Sequence, residues 1–151
     1  MKKNKISKDW IRKQKKDQFF KKSKAQGYRS RSAYKLIEIN NKFKFIKKNS
    51  YLLDLGSSPG GWSQVAAKII TNGKVLAADI KNMEKLEKVN FIAADIMDDK
   101  FDKKIYNFFN KKIDVVISDM AANTTGNKDL DSYRTGELSL RAMDLAKKIF
   151  K

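Results

Sequence analysis

Tyr51-Leu52-Leu53-Asp54-Leu55-Gly56-Ser57-Ser58-Pro59-Gly60-Gly61-Trp62-Ser63-Gln64 passes from an apolar run into a turn-forming loop and on into a helical pattern. A short apolar run closed by glycines and a proline reads as a buried strand followed by a tight turn. Val65, Ala66 and Ile69 then recur at helical spacing. Small residues in the loop let a ligand approach the backbone closely. The spacing Gly56-x-x-x-Gly60-Gly61 is not the dinucleotide G-x-G-x-x-G, and the G-K-[ST] ending of a phosphate-cradling loop is absent. A ligand without phosphates is favoured.

Downstream of this loop the pattern repeats. Asn72-Gly73 is a turn, and the apolar runs 74–80, 90–95 and 113–120 read as three more strands. Helices are expected at 61–70, 99–110 and 131–149, with a polar loop over 121–129 before the last. Upstream, 30–42 reads as a helix capped by Ser30 or Ser32, with Ala33, Leu36 and Ile37 on its inner face. Strands that are continuous apolar runs, alternating with helices, predict an α/β fold: a doubly wound, mostly parallel sheet covered on both faces. Ligands of such sheets sit at the carboxyl ends of the strands. There the sequence places Asp79, Asp95 and Asp119, with Asp54 one residue before the end of the first strand. Asp79 follows Gly56 by 23 residues, where an acid takes ribose hydroxyls. Asp95 is placed to accept from an adenine amino group. Any one of these acids could merely cap a helix or start a turn. Together they describe a pocket, shared by Gly60, Asp79 and Asp95, for an adenosine with a small zwitterionic tail. S-adenosyl-L-methionine fits that description.

Charge is unevenly distributed. Residues 1–50 hold 18 Lys/Arg against 3 Asp/Glu, and residues 51–151 hold 16 against 14, within a net charge of +17. Such a basic stripe is the footprint of a polyanion partner, with nucleic acid preferred over an acidic membrane surface. Residues 1–27 form a lysine-rich arm with Trp10, Ile11, Phe19 and Phe20 scattered through it. They read as a short helix or as a segment that orders on RNA. The chain has no Cys and no His. That removes disulfides, Cys- or His-based metal sites and histidine general bases, so a base must come from Lys, Asp, Glu or Tyr. No metal is expected. There is no membrane-length apolar run and no secretory signal, so a cytoplasmic protein is the expectation.

Three segments in order carry a family resemblance. Gly56-Ser57-Ser58-Pro59-Gly60-Gly61-Trp62-Ser63-Gln64 resembles the cofactor motif of the FtsJ/RrmJ (RlmE) RNA 2′-O-ribose methyltransferases. Ser30-Arg31-Ser32-Ala33-Tyr34-Lys35-Leu36 resembles their N-terminal motif, and Ser118-Asp119-Met120-Ala121 their fourth-strand motif. The resemblance implies a Rossmann-like class I S-adenosylmethionine-dependent methyltransferase fold. It implies cofactor contacts from Gly56, Gly60, Gly61, Trp62, Asp79, Asp95 and Asp119. It places Lys35 and Asp119 in a catalytic Lys-Asp-Lys-Glu set, and it implies a uridine in the A-loop of the large-subunit (23S-type) rRNA as substrate, in a 50S-type subunit. A monomer is expected, with residues 1–27 as a basic RNA-binding arm and 28–151 as the methyltransferase domain. The chemistry accords. The methyl group sits on a sulfonium, so the enzyme must align a ribose hydroxyl behind it and assist loss of the proton. A lysine that takes the proton or stabilises the developing alkoxide suits the second task.

The sequence departs from the family after Lys151. The strands that carry the second lysine and the glutamate of the set are not present, and the segment 113–120 is left as an open apolar sheet edge. A C-terminally truncated domain with weak or no turnover is therefore expected. A tRNA methyltransferase of the same family, a non-catalytic RNA-binding or ribosome-assembly module, and a nucleotide-dependent oxidoreductase are the alternatives. The glycine spacing speaks against the last.

Overall fold

The computed structural model describes residues 13 and 17–150; Trp10 and Ile11 lie outside the described residues. Four parallel strands, β1 (Tyr51–Leu55), β2 (Lys74–Asp79), β3 (Val89–Ala93) and β4 (Val115–Ser118), form one sheet in the order β3-β2-β1-β4. Helices α1 (Gln18–Ala25), α2 (Ala33–Phe43), α3 (Gly61–Ile69), α4 (Phe101–Phe109) and α5 (Lys128–Ile149) complete the described elements. The α/β, doubly wound, parallel reading of the sequence holds.

Strand periodicity accounts for the two cores. Leu52, Val75, Val115 and Ile117 point to one face, where they meet Ala33 and Leu36 of α2 and Trp62, Val65 and Ala66 of α3. Leu53, Leu55, Leu76 and Ala78 point to the other, against Phe101, Ile105 and Phe109 of α4 and Ala142, Leu145 and Ile149 of α5. Alternate residues of a strand face opposite sides, so a strand buried on both sides must be apolar throughout. β1 and β2 meet that demand. Asp54 is the exception: it sits in β1 on the α3 side, 1% exposed, and accepts from Ser63 Oγ at 2.6 Å.

The sheet reverses its winding between β1 and β4. β2 and β3 follow β1 in one direction, and β4 returns to β1's other flank. Such a switch point opens a crevice between the loops leaving the two strands. Here those loops begin at Gly56 and Asp119.

Several element boundaries differ from the sequence reading. β3 spans Val89–Ala93 and is only half-buried, because it is an edge strand and packs against one neighbour. Asp95 therefore lies two residues beyond the strand it was expected to end. β4 is short, Val115–Ser118, and it does lie at the other edge. Two residues before it, Ile113 forms an isolated parallel bridge with Phe150. Ser32 stands at the N-cap of α2 without capping it, since its hydroxyl pairs with Ser30 Oγ at 2.7 Å. Of the basic arm, residues 18–25 are a helix, capped by the Asp17 side chain on the Phe19 and Phe20 amides.

Gly73 is fixed by its surroundings. A β-carbon there would overlap the Ser50 carbonyl, which accepts from Lys74 N at 3.2 Å as β2 begins. Backbone cannot retreat as a side chain can. Gly73→Ala is expected to lose about 2–3 kcal/mol in urea unfolding. An unchanged midpoint would contradict this packing.

Candidate cofactor and RNA site

The strand ends converge on an open hollow of about 230 Å³. Leu55 of β1 and Gly56 after it, Asp79 from β2, Asp95 after β3 and Asp119 after β4 line it. Its apolar wall is Ile96, Phe101, Met120 and Leu138. A second hollow of about 60 Å³ lies alongside, lined by Ser30, Ser32, Asp54, Ser57, Gly61 and Trp62. Gly56, Ser58 and Asp119 line both and mark where they join.

The carboxylates are held by backbone amides. Asp79 accepts from Ser58 N at 2.9 Å and from Lys81 N at 2.8 Å, which ties the end of β2 to the glycine loop. Each oxygen keeps a lone pair for a ligand. Asp95 accepts from Met97 N at 2.9 Å. Asp119 accepts from Lys35 Nζ at 2.8 Å, and the same ammonium lies 5.7 Å from the Trp62 ring centre. The Trp62 indole N–H donates to Ser32 O at 2.8 Å, so this ring is both a core side chain and a wall of the smaller hollow.

Asp54 is the electrostatic centre. Burial pushes its carboxyl up to about 7; the Ser63 hydroxyl opposes that, while the charges of Asp79 and Asp119 add to it. Carboxylates gathered this closely create a negative potential, which suits a cation and repels phosphate. Among the described residues, Ser57 Oγ is the buried side-chain polar atom without a hydrogen-bond partner, and it borders the smaller hollow.

The structure thus brings Gly56, Asp79, Asp95 and Asp119 around one hollow and Gly61 and Trp62 around its neighbour. Gly60 lines neither, which corrects the expectation that it shares a hollow with Asp79 and Asp95. Its φ of 109° suits glycine. A β-carbon there would meet Met83 Sδ at 2.9 Å, Leu86 Cδ1 at 3.0 Å and Arg29 Nη1 at 3.2 Å. The loop before β3 and Arg29 pack behind it, so turn geometry and packing require this glycine.

A family model for FtsJ-like methyltransferases matches residues 28–151. The chain belongs to the FtsJ-like methyltransferase family. It is 49% identical over 149 residues to the ribosomal RNA large subunit methyltransferase E of Pelagibacter ubique, covering 99% of this chain and 73% of that protein. Against the protein of that name from Acinetobacter baumannii it is 43% identical, covering 97% of this chain and 68% of that one. The crystal structure of a Plasmodium falciparum ribosomal RNA methyltransferase superposes with a TM-score of 0.75 at 38% identity, covering 82% of this chain and 73% of that one. The fold is the Rossmann-like fold of S-adenosylmethionine-dependent methyltransferases.

Within this FtsJ-like domain some site features left no mark in the sequence. Arg29 donates to Glu84 O at 2.6 Å, to Lys85 O at 2.9 Å and to Pro59 O at 3.3 Å, and so joins the segment before α2 to two site loops. Gln64 holds the same segment through Gly27 O at 3.0 Å and Arg29 N at 2.8 Å. In a chain with 34 Lys/Arg, nothing local distinguishes Arg29. Met120 fills the space above Gly56 that a β-carbon would take. Its place directly after Asp119 was the available signal for it.

Proposed function

We propose that this chain transfers a methyl group from S-adenosylmethionine to a ribose 2′-hydroxyl of large-subunit ribosomal RNA. The observation that carries this reading is the ring of carboxylates, Asp54, Asp79, Asp95 and Asp119, around two joined hollows, with Lys35 paired to Asp119 where they meet. A dinucleotide's phosphates would be repelled there, whereas a sulfonium is attracted.

The residues present fit the cofactor. Asp79 and Asp95 would hold its ribose hydroxyls and adenine amino group, and Ile96, Phe101, Met120 and Leu138 would enclose the base. Ser57 Oγ offers the smaller hollow a hydroxyl with unmet hydrogen-bonding capacity, suited to an amino-acid tail. When bound, S-adenosylmethionine supplies a methyl group already activated on a sulfonium. This chain's part is alignment and charge. Asp119 stands at the junction of the hollows and fixes the Lys35 ammonium there, where it can stabilise the alkoxide that forms as the 2′-hydroxyl loses its proton. By family resemblance the target is a uridine of the A-loop in the 50S-type subunit, approached by a monomer in the cytoplasm, with the basic residues 1–27 as an RNA-binding arm.

Tritiated S-adenosylmethionine, unmodified large-subunit RNA and this chain provide the test. Label is expected in the ribose of one nucleotide, mapped by resistance of the adjoining phosphodiester to alkali. Label on a base, or none with this chain in excess over RNA at saturating cofactor, where weak turnover does not limit the yield, would remove the proposal.

A further inference from the structure

Helix α1 lines neither hollow, yet it is docked firmly against the segment that leads into α2. Asp17 caps it and also ion-pairs with Arg31, just ahead of α2. Tyr28 N donates to Ser23 O at 2.8 Å, and Tyr34 Oη donates to Gln26 Oε1 at 2.7 Å. The result is a row of rings. Phe19 and Tyr34 have centroids 6.0 Å apart, and Tyr34 and Tyr28 5.6 Å apart. Lysines stand over the row: Lys22 Nζ lies 5.1 Å from the Tyr34 ring and Lys68 Nζ 4.1 Å from the Tyr28 ring.

Two features of the row point to one kind of partner. Phe19 is 59% exposed, an apolar surface on a helix, Gln18–Ala25, that carries three lysines and no acid. The nearby acid, Asp17, is engaged by Arg31. Cations interleaved with rings, Phe19 exposed and Tyr28 and Tyr34 half-buried, match a backbone of phosphates bearing unstacked bases. A duplex would use the lysines but leave the rings idle, because its bases are stacked on one another. Tyr34 and Lys35 are neighbours in α2, so one turn of helix carries both the row and the Lys35–Asp119 pair.

We infer that Phe19, Tyr34 and Tyr28, with Lys22 and Lys68, form a stacking platform for unpaired RNA nucleotides that flank the methylated one. This rests on the reading of the substrate as RNA.

Fluorescence anisotropy with a labelled single-stranded RNA oligonucleotide and a duplex of the same sequence, without methyl donor, tests it. Phe19→Ala should weaken single-strand binding about tenfold at fixed salt. It should leave duplex binding unchanged, and it should keep the slope of affinity against salt, since no charge is lost. Phe19→Trp should restore single-strand binding. Lys22→Gln should instead lower the salt slope by about one ion. Single-strand binding unchanged in Phe19→Ala, or single strand and duplex weakened equally, would overturn the platform. The two proposals fail separately. A chain that methylates RNA but ignores Phe19→Ala loses only the platform, and one that binds single strands through Phe19 without transferring methyl loses only the activity.

Discussion

Methyl transfer by Asp119→Asn should fall by about two to three orders of magnitude, with folding stability almost unmoved. The size follows from what the carboxylate does. It lines both hollows and holds the Lys35 ammonium at 2.8 Å; in the proposed reaction that pair faces the charge developing on the hydroxyl. Removing one preorganised charged group from such a position costs about 10²–10³ in rate. Asparagine preserves shape and leaves Lys35 without its counter-charge. The stability half follows from exposure: the side chains of Lys35 and Asp119 are 58% and 40% exposed, and an ion pair that wet contributes about 0–1 kcal/mol. Lys35→Ala should be comparably impaired, and the double variant little worse than either single one, because the two act as a unit. Single-turnover transfer of labelled methyl to large-subunit RNA measures the first effect, and urea unfolding the second. Transfer within tenfold of the unaltered chain would remove Asp119 from the reacting centre.

Stability should fall as pH rises from about 4 to about 7, and Asp54→Asn should abolish that fall. Burial, reinforced by the charges of Asp79 and Asp119 against the Ser63 hydrogen bond, pushes the Asp54 carboxyl up to about 7, whereas in the unfolded chain it titrates near 4. Between those values the folded state binds the extra proton. Stability therefore declines with rising pH across that window and levels off above it. The gap between the folded and unfolded carboxyl corresponds to a ceiling on the order of 4 kcal/mol. Asp102 acts in the opposite sense. Its own burial raises it, but hydrogen bonds from Arg141 and Lys148 outweigh that and hold it below the usual range. Its contribution is present above pH ~4 and is lost only below, outside the Asp54 window. Asp54→Asn keeps the volume and a partner for Ser63 without a buried charge. It should be more stable than the unaltered chain at pH 8 by a few kcal/mol, seen as a higher midpoint in urea. Parallel pH profiles for the two proteins would exclude Asp54 as the titrating group.

Some of this protein could be read without coordinates. The apolar runs 51–55 and 74–79 announce strands because a strand covered on both sides has little room for a polar residue. The loop from Gly56 to Gly61 announces a close approach, since two of its glycines take positive φ and a β-carbon at Gly56 would run into Met120. The acids at or just past successive strand ends follow from the α/β alternation itself, because parallel strands deliver their carboxyl ends to one side of the sheet. β3 departs from its sequence pattern in length and burial. Edge position is a property of sheet order, which no run of five residues encodes.

Residue pattern was enough for the class of fold and for the strand ends as the side on which Gly56, Asp79, Asp95 and Asp119 gather around one hollow. These depend on local periodicity and on chain direction alone. Packing was needed to turn Gly60 away from both hollows while Ser57 borders one, and to make Asp54 the carboxyl whose proton is in play. It was needed as well to bring Lys35, 84 residues before Asp119, to the site from α2, and to set Arg29 and Asp17 bracing the segments around it. Those outcomes depend on distances between elements remote in the chain, where burial and charge add up only once the elements have met.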